Sequence, residues 1–106
     1  MTTPAPKLPP DALIAGQVWR ILEARDETLM SGKWGLTTEA DATIRLDPDA
    51  PQPRTLIHEL MHAAELGLHT DISHDAVQAL AAGLASALIS RPVLAEWIAA
   101  RARGDA

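Results

Sequence analysis

Three residues in the middle of the chain have the types and the spacing of a catalytic metal site. His58, Glu59 and His62 form the pattern His-Glu-x-x-His within the segment TLIHELMHAA. On an α-helix, residues four apart are separated by about 6 Å of rise and about 40° of rotation, so both imidazoles project from one face and can bind one ion. Because zinc favours tetrahedral sites that contain imidazole nitrogens, the pattern predicts a zinc-binding helix.

The glutamate of this pattern is suited to proton transfer. Glu59 lies about 100° round the helix from His58, beside the ion and too displaced to be an obvious ligand. A zinc ion lowers the pKa of its bound water to roughly 7, and a neighbouring carboxylate can take the proton. We therefore expect Glu59 to be the catalytic base and His58 and His62 to be metal ligands. The competing interpretation is a buried amphipathic helix whose two histidines have other partners.

A catalytic zinc site needs a third protein ligand and one open position. The candidates are Glu65, His69, Asp71, His74 and Asp75. His74 is favoured because it precedes Val77 by three residues and so extends the inward stripe of the following helix toward the first one. Its alternative is a helix-end histidine without a metal. Glu65 shares the face of the two histidines but comes from the same helix, so we expect it beside the ligands or facing substrate.

Composition excludes several other classes of protein. The chain has no cysteine, which rules out disulfides and thiolate ligands. Its net charge of −5 argues against nucleic-acid binding. The most apolar run, residues 76–89, is too short to span a membrane. Nothing at the N-terminus resembles a secretory signal, so a cytoplasmic location is expected. The oligomeric state cannot be inferred from these patterns.

The order of the predicted elements indicates an α+β fold in one domain. Residues 1–12, rich in proline, are expected to form a flexible arm, and residues 13–103 a single domain. A small antiparallel sheet of two or three strands should pack on about three helices. The predicted elements are strands at 17–24 and 43–47, a turn around Gly32 and Gly35, and helices at 54–66, 73–90 and 92–101.

Details of these elements follow from local patterns. The strand at 43–47 should be half buried, with Ile44 and Leu46 inward. Gly67 should close the first helix, and Asp71 or Ser73 should cap the second. The inward stripe of the second helix is predicted to be Val77, Leu80, Leu84 and Leu88.

The segments TIRLD, TLIHELMHAA, VQALAAGLASAL and RPVLAEWI together resemble the small zincin-like metallopeptidases of phage and prophage genomes, relatives of the ImmA-type and SprT-like peptidases. The resemblance covers about residues 17–100. It implies a zincin-like fold, a Zn²⁺ cofactor, a peptide or protein substrate, His58 and His62 as ligands and Glu59 as base. The third ligand is usually a glutamate in the ImmA-like group and a histidine in SprT-like members; the matching position here holds His74.

The expected mechanism also needs a segment that binds the substrate and a group that stabilises the oxyanion. An extended substrate could add as a further strand to Thr43–Leu46, whose alternative role is only to pack the central helix. The chain has no tyrosine, so His69, Arg45 or a backbone amide would have to stabilise the developing oxyanion.

Two functions without hydrolysis also fit the sequence. A regulatory or interaction module would use zinc in a closed four-ligand site completed by Asp71, Asp75 or Glu65. A helical interaction domain without metal would be indifferent to chelators, whereas both zinc-binding interpretations predict that a chelator lowers the melting temperature.

Overall fold

The computed structural model describes residues 7–23, 32–50 and 52–104 and has an α+β fold. This confirms the predicted fold class, whereas the zincin-like character of the fold stays a prediction. The described elements are β1 (Asp11–Ile14), β2 (Gln17–Glu23), β3 (Gly35–Thr38), β4 (Thr43–Leu46), α1 (Gln52–Leu68), α2 (His74–Ser90) and α3 (Val93–Ala102).

The sheet is larger than predicted and is mixed. Its four described strands lie in the order β1-β2-β4-β3. The β1–β2 and β3–β4 pairs are antiparallel, but the central pair of β2 and β4 is parallel. The prediction of an antiparallel sheet with two or three strands is therefore wrong in both respects. A parallel pair is possible because the chain between β2 and β4 is long enough to cross over and also contributes β3.

Strand β4 lies inside the sheet and has no free edge. It is hydrogen-bonded to β2 on one side and to β3 on the other. Thr43, Ile44 and Leu46 are all 0% exposed, so the strand is not half buried as predicted. Among the described residues β1 pairs with β2 alone and β3 pairs with β4 alone, so β1 and β3 are the two edge strands of the sheet.

The core lies between the inner face of the sheet and α1. It consists of the buried side chains of Trp19, Ile21, Ile44, Leu46 and Ala63. Trp19 and Ile21 alternate along β2 with exposed residues, as expected for a strand with one covered face. Burial of each large side chain contributes about 1.5–3 kcal/mol, which fixes α1 over the sheet.

The folded region begins nearer to the N-terminus than residue 13. Strand β1, which was not predicted, starts at Asp11, and Leu8 and Ala12 pack against the core. Within the predicted arm, residues 1–6 lie outside the described part of the chain.

Helix α1 passes through Gly67 and does not end there. A Cβ atom at Gly67 would lie 2.8 Å from the Cβ of Ala15, so this glycine allows the helix to approach the β1–β2 turn. The left-handed residue after the helix is His69, with φ +54°. The amides of His69 and Thr70 donate to the carbonyls of Leu66 and Glu65 at 3.3 and 3.1 Å, which is the Schellman pattern of helix termination.

Helix α2 packs on α1 through small residues. Ser73 caps it as predicted, and its buried residues are Val77, Ala81 and Ala85. The predicted stripe is correct at Val77 and wrong at Leu80 and Leu84, which are 54% and 49% exposed. The small side chains of Ala81 and Ala85 let the axes of α1 and α2 come close together.

Helix α3 forms where a third helix was predicted, but it has no buried residue. No single helix in the described ranges combines the length and apolar composition needed to cross a membrane; α2 and α3, bent by 97° at the break between them, pass that test only as a pair.

Candidate metal centre

Two of the site's histidines lie one turn apart on α1. The Nε2 atoms of His58 and His62 are 3.0 Å apart, and their ring centroids are separated by 4.7 Å. The helix is anchored to the core by Ala63, so the histidines lie on its flank and are partly exposed. The two nitrogens are therefore directed at one point, as the i, i+4 spacing predicts.

The third histidine comes from the first residue of α2. The hydroxyl of Ser73 accepts a hydrogen bond from the amide of Ala76 at 3.2 Å, which fixes the start of the helix at His74. The His74 ring centroid lies 5.0 Å from that of His58 and 5.7 Å from that of His62. One ligand atom from each ring lies within 4.8 Å of the others. The structure thus brings the three predicted ligands together.

Glu65 connects the two helices of this cluster. One of its carboxylate oxygens accepts a hydrogen bond from the amide of Ile72 at 2.8 Å. The other lies 3.5 Å from Nδ1 of His62. A carboxylate behind the second ring nitrogen of a ligating histidine orients that ring. Glu65 therefore fixes the position of the segment before α2 relative to His62.

The remaining candidate ligands lie outside the histidine cluster. His69, Asp71 and Asp75 are exposed. His69 occupies the left-handed position at the end of α1, where its role is to terminate the helix. Within the described residues, the only group of three or more potential ligands that converge is His58, His62 and His74.

The Glu59 side chain is buried between α1 and β3, with 8% exposure. The Thr37 hydroxyl donates a hydrogen bond to Glu59 Oε1 at 2.7 Å and also lies 3.2 Å from the Glu59 carbonyl oxygen. The other carboxylate oxygen, Oε2, lies 4.0 Å from Nε2 of His58. The carboxylate is therefore positioned beside the histidine cluster and outside it, as predicted for a base.

Two residues around Glu59 were not predicted. Thr37 and Gly35 belong to β3, whose first residue, Gly35, was predicted to lie in a turn together with Gly32. A Cβ atom at Gly35 would lie 2.8 Å from both Cγ and Oε2 of Glu59. The available signal was the pair of threonines after Gly35, because β-branched residues favour a strand.

The surroundings of His58 favour its neutral imidazole form. Burial lowers the pKa of His58 below its ordinary value of 6.5, and the neighbouring His62, His74 and Arg54 lower it further. Glu59 opposes this shift but does not reverse it. Neutral imidazole is the form that binds metal ions, so His58 is in the correct state at neutral pH.

The cluster opens into a cleft of about 570 Å³ between β3, α1 and the start of α2. Arg45, one of the groups considered for stabilising the oxyanion, does not line it. Its guanidinium binds Asp41 at 3.1 Å and Thr38 at 3.3 Å. Lys33, Trp34 and Arg54 do line the cleft, at the ends of β3 and α1 where these elements begin.

The arrangement provides three nitrogen donors, a buried carboxylate beside them and an accessible cleft. No protein-family model, curated protein or solved structure matches the chain. The interpretation of the site therefore depends on its own geometry.

Proposed function

We propose that the protein is a zinc-dependent, metallopeptidase-like hydrolase of the cytoplasm. The observation that carries this proposal is the convergence of His58, His62 and His74 within 4.8 Å, with Oε2 of Glu59 4.0 Å from the nearest ring nitrogen. Three ligands and an adjacent carboxylate are the parts that hydrolysis at a zinc site requires.

The donor set fits zinc. Tetrahedral coordination at Zn–N distances of 2.0 to 2.1 Å requires the nitrogens to be about 3.4 Å apart. The Nε2 atoms of His58 and His62 are 3.0 Å apart, close to that requirement. When bound, zinc would polarise a peptide carbonyl and lower the pKa of water to roughly 7.

Each neighbouring side chain has a separate part in the proposed reaction. Glu59 takes a proton from the attacking water and passes it to the leaving amine, since its carboxylate is beside the histidines and not needed as a ligand. Glu65 keeps His62 oriented through the contact at Nδ1. His74 would hold the metal from the start of α2.

An extended peptide or protein segment is the substrate that suits the cleft. Because β4 is inside the sheet, the substrate strand must be one of the edge strands, β1 or β3. Of these two, β3 borders the cleft, through Gly35, Leu36 and Thr37. Backbone pairing along β3 would hold a substrate in extended form next to Glu59. This replaces Thr43–Leu46 as the proposed substrate strand.

A closed, purely structural zinc site is less well supported. It would need a fourth ligand from Asp71, Asp75 or Glu65. The two aspartates are exposed, and both oxygens of Glu65 already contact Ile72 or His62. A cluster with three donors leaves one position for water.

The test of this function combines zinc content with hydrolysis in Glu59→Gln. The variant should keep about one zinc ion per chain and lose about 100-fold or more of the wild-type hydrolysis of fluorescently labelled casein, because general-base catalysis contributes about 10² to 10⁴. Glu39→Gln, at an exposed carboxylate outside the cleft, is the matched control. Undiminished turnover in Glu59→Gln would remove its role as base, and zinc-loaded wild type without hydrolysis would favour the regulatory module.

A further inference from the structure

The carboxylate of Glu59 is held on two sides by the same strand. Thr37 donates to Oε1 at 2.7 Å, whereas Oε2 lies against the bare Cα of Gly35 and 4.0 Å from His58 Nε2. Of the charged side chains in the described ranges, only that of Glu59 is buried. The two oxygens therefore have different surroundings, one fixed by a hydroxyl and the other directed at the histidine cluster.

We propose that Thr37 and Gly35 are positioning residues for Glu59, a proposal that rests on the proposed hydrolase function. Thr37 fixes the rotation of the carboxylate by holding Oε1, so that Oε2 alone faces the water or ligand at the metal. Gly35 makes this orientation possible, since a side chain there would displace Oε2. A hydrogen bond to an ionised acceptor is one of the stronger interactions available for such a task.

The strand register explains why these two residues act together. Gly35 pairs with Leu46 and Thr37 pairs with Ile44. Leu46 and Ile44 both belong to the core beneath α1, and directly paired residues of antiparallel strands project from the same face. Gly35 and Thr37 therefore both face α1, whereas Thr38 projects from the opposite face and contacts Arg45.

This arrangement couples the base to the substrate strand. The edge of β3 that is free among the described residues borders the cleft, and the inner face of the same strand holds Glu59. A substrate that pairs with β3 is therefore placed in a fixed register with Oε2. The alternative is that the Thr37 hydrogen bond only ties β3 to α1 and has no effect on the site.

Affinity for acetohydroxamate separates these two possibilities without a known substrate. A hydroxamic acid chelates zinc and gives up its proton to an adjacent base, so its affinity reports the placement of the Glu59 carboxylate. In zinc-loaded protein, Thr37→Val should weaken binding about tenfold, the effect of one hydrogen bond to a charged group. Thr37→Ser should restore it to within about twofold, and Gly35→Ala should weaken it as Thr37→Val does.

The control and the double variant make the test specific. Thr38→Val removes a hydroxyl from the same strand but from the other face, and it should bind acetohydroxamate like wild type. In a Glu59→Gln background, Thr37→Val should have no further effect, because the two residues act through one carboxylate. If Thr37→Val instead weakened acetohydroxamate binding equally in both backgrounds, Thr37 would act independently of the Glu59 carboxylate, and the proposal would be overturned.

The outcomes distinguish this proposal from the function on which it rests. Equal affinities of wild type and Thr37→Val, with one zinc ion in each, would overturn the positioning role and leave the zinc site intact. A wild type that binds no zinc would overturn both. If Thr37→Val does not fold, Gly35→Ala carries the test, since it keeps the Thr37 hydroxyl and displaces the Glu59 side chain at Cγ and Oε2. Wild-type affinity in that variant would also overturn the proposal.

Discussion

The site brings three imidazole rings close together. The ring centroids of His58, His62 and His74 are 4.7 to 5.7 Å apart. Two protonated rings at such distances repel each other, and the pKa of His58 is lowered first by burial and then by its neighbours. A cation shared by the three rings would bind their nitrogen lone pairs. The lowered pKa of His58 therefore favours the neutral ring that such a cation needs.

This arrangement predicts that the metal-free protein loses stability in weak acid. Folded His58 binds a proton less readily than the unfolded chain, whose histidines titrate near the ordinary value of 6.5. Between the lowered pKa and 6.5 the unfolded state holds more protons. The free energy of unfolding is therefore at its full value above pH 6.5 and falls as the pH decreases through the lowered pKa.

Urea denaturation at pH values from about 8 down to about 5, where histidine titrates, measures this effect. His58→Gln should flatten the decrease, and His69→Gln, which changes an exposed ring, should not. Parallel curves for wild type and His58→Gln would show that the loss of stability has another origin.

Among the elements, those with local signals were predicted and those set by packing were not. The apolar spacing of α1, the Ser73 cap of α2 and the β-formers of β2 are properties of neighbouring residues, and these elements form. The buried face of α2 is different. Leu80 and Leu84, which were predicted to face inward, are exposed, because close approach to α1 selects the small side chains of Ala81 and Ala85.

The residues of the site likewise fall into two groups, those predicted from local spacing and those placed by tertiary packing. His58, Glu59 and His62 follow from spacing on one helix, and His74 follows from the start of the next. Thr37 lies 22 positions from Glu59, and the two meet only because β3 pairs with β4 beneath α1. Neither the pairing nor the mixed direction of the sheet has a local signal in one sequence.

The two helical glycines provide a prediction at the scale of the elements. Gly67→Ala improves helix propensity but places a Cβ atom 2.8 Å from Ala15, a turn residue with φ +49°. We expect a net loss of about 1–3 kcal/mol from overpacking. Gly83→Ala on α2 has nothing within 4 Å of the new atom and should gain about 0.5–1 kcal/mol.

The free energies of unfolding of both variants, measured by chemical denaturation, compare the cost of overpacking at Gly67 with the gain in helix propensity at Gly83. Stabilisation by alanine at both positions would mean that α1 is not confined by the β1–β2 turn.

For the molecule as a whole, the covered core is small. The sheet and α1 enclose five buried core residues, and α3 adds no buried residue. Stability of the chain therefore depends on few contacts. A ligand that bridges α1 and α2 would contribute a large share, because it would fix the relative position of two helices that otherwise meet through alanine and valine.

Zinc should consequently raise the melting temperature, and a chelator should reverse the rise. At a free zinc concentration 100-fold above the dissociation constant, binding to the folded state alone contributes about 2.7 kcal/mol. For a domain of this size that corresponds to about 10 to 20 °C. His74→Ala should lose most of the increase together with stoichiometric zinc, whereas His69→Ala, at an exposed histidine outside the cluster, should keep both. Calorimetry with zinc and then EDTA, combined with elemental analysis, measures the two quantities on one sample. If the wild-type protein contained no zinc and melted at the same temperature in zinc as in EDTA, the result would instead support the helical interaction domain without metal.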